Sequence, residues 1–184
     1  NVVSSNVILP KLSAEDIKAG ISSIFSAEAK VPILKELVFS ADKEQIDSIS
    51  FLPALVSTIN ADLLKSKIEQ DFTAFGYKDK DGVWSGYVFK LKTQDPPSQT
   101  KSEIFSLVEQ ASAKFYIDDP GSPKATDFKE GAKFSTNIKD IRYLPYTAAG
   151  ASFNIAWVQV SGVDYAVVST SYAGIKEVMK DLGF

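Results

Sequence analysis

The sequence predicts an α+β fold: an antiparallel sheet built from two hairpin-helix units, with helices packed mainly on one face. Three observations predict it. "DFTAFGY" and "VWSGYVFKLKT" are strand-like runs joined by "KDKDG", whose Asp81-Gly82 is a strong hairpin signal. "FNIAWVQV" and "YAVVSTS" are joined in the same way by "SGVD". Each hairpin is followed by a helical stripe: Ile104, Phe105, Leu107, Val108 and Ala111 after the first, and Ile175, Val178, Met179 and Leu182 after the second. Two such sections suggest a pseudo-repeat over about 37–113 and 114–184. They imply an antiparallel sheet under helices.

The remaining elements follow in chain order. Residues 1–12 read as an N-terminal arm or tether, with Pro10 ending its apolar stretch, and residues 13–184 as a single domain. Ser13 caps a helix with Asp16 at its third position, as in a capping box, and Ile17, Ile21, Ile24 and Phe25 form its stripe. Leu37 to Ser40 reads as a strand before a polar turn, although Ile33 to Phe39 also fits a helix. Phe51 to Gln70 reads as two short helices, the second capped by Asn60. "QDPPSQT" breaks the chain before a helix that starts near Ser102. "AKFYI" reads as a short strand, "DDPGSPKATDFKEG" as a turn-rich loop, and "AKFSTNIKDIRY" as strand, turn and strand. Gly183 is placed to stop the last helix.

Composition narrows the chemistry. The 184 residues are 45% hydrophobic and 23% charged with a net charge of −3, an ordinary balance without the basic footprint of a nucleic-acid binder. Arg142 is the only arginine, so forked recognition of phosphate is not expected. With neither histidine nor cysteine, a Ser-His-Asp triad, a cysteine nucleophile, a disulfide and the usual zinc sites are excluded. No apolar run approaches the roughly 20 residues that span a bilayer.

The candidate sites are few. Ser169, Thr170 and Ser171 stand at a strand-to-helix junction, but the glycines of a nucleophile elbow are missing, and a helix cap from Ser169 or Ser171 accounts for them. Two S-x-x-K matches, Ser40 with Lys43 and Ser98 with Lys101, lack the partner motifs of serine-lysine chemistry. Asp79 and Asp81 resemble part of a calcium loop without its closing glutamate, and Asp118-Asp119 precedes a turn at Pro120-Gly121. Arg142 is expected to anchor its strand through an acid such as Asp140 or Asp164. Trp84, Tyr87 and Trp157 are the candidate ligand or partner surface, with core packing the alternative role for strand aromatics. No catalytic residue, metal ligand or cofactor is assigned.

Ile141-Arg142-Tyr143, then Asp164 to Thr170, then Ser171 to Leu182 follow a series: a strand ending in R-Y, a hairpin strand like "YAIV…LIIATS", and a helix like "SMRAIIDRL". From about Leu37 onward the chain resembles a group of membrane-anchored extracytoplasmic domains of small-genome candidate-phyla bacteria. The long "DDPGSPKATDFKEG" loop departs from that pattern. The resemblance implies a transmembrane anchor upstream of Asn1, an exposed domain, and no catalytic residues to carry over. The expected function is a non-catalytic extracytoplasmic domain that supports cell-envelope structure or surface interaction. Its expected partner is a protein or envelope component, with no nucleic acid. The alternatives are a pilin-like or pilus-assembly domain, and a polysaccharide-binding or hydrolysing envelope protein, which requires a concave pocket where acids meet Trp84 or Trp157.

Overall fold

A computed structural model describes residues 2–92 and 97–184. The break expected at "QDPPSQT" falls largely on residues 93–96, outside the described residues. In chain order the elements are β1 (Val3–Ile8), α1 (Ala14–Ser26), β2 (Ile33–Ala41), β3 (Glu44–Gln45), α2 (Ser48–Leu55), α3 (Ala61–Lys67), β4 (Ile68–Lys78), β5 (Val83–Leu91), α4 (Pro97–Gln110), β6 (Lys129–Glu130), β7 (Ile138–Pro145), β8 (Ser152–Val160), β9 (Val163–Ser169) and α5 (Tyr172–Leu182). The fold is α+β, with one open sheet in the order β1-β2-β4-β5-β9-β8-β7-β6 and β3 beside the end of β2.

Every pairing is antiparallel except β1 with β2, which is parallel over six residues. Parallel neighbours need a crossover, and α1 supplies it. Ser13 caps α1 as expected, its Oγ accepting the Asp16 amide at 3.2 Å, and Ile17, Ile21 and Phe25 are buried beneath it. The arm expected over residues 1–12 is therefore sheet from Val3 onward, and it buries Val7 and Leu9. Its single polar-apolar alternation was too short to read as a strand without the β2 partner that completes it.

Other local differences have similar causes. The segment 33–41 is strand throughout, since its alternate residues Leu37 and Phe39 are buried against helices. "AKFYI" forms a short 3-10 turn, Ser112–Phe115, that places Phe115 and Tyr116 in the core. Residues 132–137 are irregular, and the strand begins only at Ile138. The second hairpin turns through Ser161 and Gly162, both at positive φ (50° and 78°), the backbone of a type I′ turn. In the first hairpin Asp79 sets the turn: its Oδ1 accepts the amides of Asp81 and Gly82 at 2.9 and 3.1 Å.

The two faces of the sheet are covered unequally. On one face, α1, α2, α3 and α4 pack over Leu37, Phe39, Ala74, Tyr87, Phe89, Ala166 and Val168. On the other, α5 is the one helix among the described residues, and it sets Ile175, Val178 and Met179 against Phe75, Val88, Ala156 and Val167. The helices of the two hairpin-helix segments thus lie on opposite faces. Leu182, expected in the buried stripe, is 38% exposed at the last turn, where Gly183 (φ 74°) closes the helix and its amide reaches the Lys180 and Met179 carbonyls. Among the described residues no helix covers the sheet around β1 and the outer part of β2 on the α5 side: Ser4, Asn6 and Glu36 are exposed, and Ile8 is 79% exposed.

Candidate functional site

The three aromatic residues singled out in the sequence do not meet. Tyr87 is 1% exposed, within an aromatic cluster that includes Phe51 and Phe115 at 5.2 and 6.1 Å between ring centres. Among the described residues its hydroxyl has no hydrogen-bond partner, and burial pushes its pKa up. Trp84 is also buried, and its indole N–H donates to Asp79 at 3.0 Å. Only Trp157 is partly exposed. Tyr87 packs beneath the helices as strand aromatics commonly do, and Trp84 packs against the turns at Gly82 and Gly150.

Trp157 belongs to a charged network under α4. Its N–H donates to Asp164 at 2.8 Å, and Gln159 donates to the same oxygen at 3.1 Å. Lys101 stands over its ring at 5.5 Å and pairs with Asp140 at 2.9 Å. Arg142 reaches Glu109 at 3.3 Å and Asp140 at 3.7 Å, with its guanidinium over Phe105. Asp140 was among its expected partners; Glu109 was not, because the packing of α4 on β7 is not a local property. Burial raises the Glu109 pKa, outweighing the opposing pull of Arg142. Lys101 and Arg142 on the one side and Asp140 and Glu109 on the other are paired, so the network fastens α4 to the sheet.

The hydroxyl run at the start of α5 is a cap. Ser171 Oγ accepts the Gly174 amide at 2.9 Å, and Ser169 Oγ donates to the Ser171 carbonyl at 3.0 Å while the Ser171 amide approaches it at 3.3 Å. Thr170 bridges to β5, accepting the Ser85 amide at 2.9 Å and donating to the Ser85 carbonyl at 3.1 Å. All three hydroxyls are thus occupied within the fold. Ser171→Ala is expected to lower stability by about 1 kcal/mol, the usual value of an N-cap, read from a urea melt. An unchanged midpoint would show that the cap contributes nothing.

Among the described residues, no three or more acidic side chains are grouped to hold a metal ion. No described helix is long and apolar enough to cross a membrane. Two surface features bear on the expected function. A cleft of about 190 Å³ beside the first hairpin is lined by Asp81, Trp84, Tyr116, Asp118 and Asp119. Asp119 there accepts the Gly121 amide at 2.8 Å, so its carboxylate is partly used in the turn. The second feature is the uncovered strip of sheet around β1, with a groove of about 320 Å³ between it and α5, lined by Leu34, Glu36, Thr73, Phe75, Asp181 and Leu182. Sequence reasoning missed this strip because its exposure depends on where α5 lands. No protein-family model, curated protein or solved structure matches the chain.

Proposed function

We propose that the chain is a non-catalytic interaction domain of the cell envelope, held outside the cytoplasm, that engages a protein or envelope partner through the uncovered β1 side of its sheet. The observation that carries this is the exposed edge. Leu9 donates its amide to Ser40 at 2.8 Å, so the odd residues of β1 turn their backbone groups toward β2. Those of Ser4, Asn6 and Ile8 turn outward, since strand residues alternate. Natural edge strands are usually blunted by charge, proline or a bulge. Val3–Ile8 has no charged residue and no proline, and it exposes Val3 at 64% and Ile8 at 79%. Such an edge suits an added strand or a packed apolar surface. The envelope location rests on the resemblance carried by Ile141–Tyr143 and Asp164–Leu182.

The two hairpin-helix units are read as one scaffold joined where β5 pairs with β9. Their helices lie on opposite faces, so the recurrence is topological rather than symmetric. The acidic cleft beside Trp84 favours a second reading, saccharide binding. It ranks lower because Trp84 is 6% exposed and offers no open ring face for stacking.

Ile8→Lys separates the readings. The position is solvent-facing, so stability should change by no more than about 0.5 kcal/mol. Retention of the isolated 184-residue chain on envelope fractions from the cells that produce it should fall at least tenfold. Undiminished retention, with loss instead on Asp118→Ala, would transfer the function to the acidic cleft.

A further inference from the structure

On the same sheet face, but on the other side of α5 from β1, the geometry points to a binding site for a small flat aromatic group that carries a single N–H or O–H donor at its edge, of the indole or phenol class. The site is a cleft of about 250 Å³ at the N-terminal end of α5, lined by Ala132, Ile141, Tyr143, Asn154 and Tyr172. Its lining is overwhelmingly apolar. Tyr172 is 43% exposed and is held edge-on by Phe134, with ring centres 6.1 Å apart.

Asn154 gives the cleft its chemistry. It pairs with Tyr143 across β7 and β8, and its neighbours on the same face, Ile141 and Ala156, are buried and apolar. Asn154 itself is 1% exposed. Its Nδ2 donates to the Ser152 carbonyl at 2.6 Å, but no described residue donates to its Oδ1. Asn154 Oδ1 is not among the buried polar atoms left without a partner, so it reaches the open cleft rather than lying sealed in the core. The cleft is where a donor can reach it. An apolar pocket with one placed polar group is the usual form of a small-ligand site. The aromatic rings and Ile141 select a flat apolar body, and Oδ1 selects the donor. The site goes beyond the partner surface at β1 and does not depend on it.

The test uses indole and its isostere benzofuran, which lacks the N–H, titrated into the isotope-labelled protein and followed by NMR. Indole should shift the Asn154 side-chain amide and the Gly131 and Tyr172 backbone amides along one saturable curve. Benzofuran should bind about two- to tenfold more weakly, the net value of one hydrogen bond. Asn154→Leu should erase that difference. Because that variant alters a buried position, Ala132→Phe at the exposed mouth gives an independent check and should block indole. The proposal is overturned by equal affinity for the two probes, by non-saturable shifts that show binding at high concentration only, or by unchanged indole binding in Ala132→Phe.

Discussion

Phe51→Ala is expected to lower stability by about 3–5 kcal/mol, as befits a fully buried ring whose removal leaves a cavity. Phe51 is 0% exposed on α2, with Phe39, Phe72 and Tyr87 at 4.8, 5.0 and 5.2 Å between ring centres. One side chain thus joins α2 to β2, β4 and β5. Domains are stable by about 5–15 kcal/mol in total, so the variant should lie near its unfolding threshold. Urea denaturation with an unchanged slope is the measurement. A loss below about 1 kcal/mol would mean that α2 does not pack on the sheet as described.

Gly86→Val should cost about 3 kcal/mol, at the upper end of overpacking. A Cβ on Gly86 would lie 2.0–2.6 Å from three ring atoms of Phe75, its cross-strand partner. The ring cannot swing away freely, because it is also buried in the cluster beneath α5. The same contact makes a paired test. Phe75→Ala alone should cost about 3–5 kcal/mol, and the double variant should be well short of the sum, because the valine occupies space the ring has left. Strict additivity of the two changes would contradict the Gly86–Phe75 contact. Here a glycine is required by close approach rather than by a positive φ.

Much of the fold was legible because its signals are local. Ser13, Asn60 and Ser171 cap their helices through hydroxyl or amide oxygens within three residues, and the side chain nearest each cap states the helix start. The two hairpins were legible from turn residues between apolar runs. What was not legible depends on distant partners. Val3–Ile8 becomes a strand only because α1 returns β2 alongside it. The choice of face by α4 and α5 follows from which alternate residues of β9, Ala166 and Val168 or Val167, meet each helix, and nothing near either helix announces it.

The candidate surface was misjudged for the same reason. Trp84, Tyr87 and Trp157 share strand character but not a location, and two of them are enclosed by helices or turns. The more informative signal was Asn154, a lone amide within "FNIAWVQV". Its meaning required knowing that the neighbouring positions on its face are buried and that Asn154 lines a cleft. Polar residues that interrupt apolar strand runs are therefore worth more weight than aromatic ones, since aromatic strand residues have a structural role by default.

Site-specific photo-crosslinking in the cells that produce the protein tests the proposed partner surface most directly. A photoreactive residue replaces Ile8 or Glu36 on the uncovered strip, and Glu15, exposed on α1 of the opposite face, serves as control. Discrete adducts from Ile8 and Glu36, absent at Glu15 and lost when Asn6→Pro removes an outward amide of β1, are expected. Adducts from Glu15 alone, or none from Ile8 and Glu36 while the protein remains folded and envelope-associated, would contradict it.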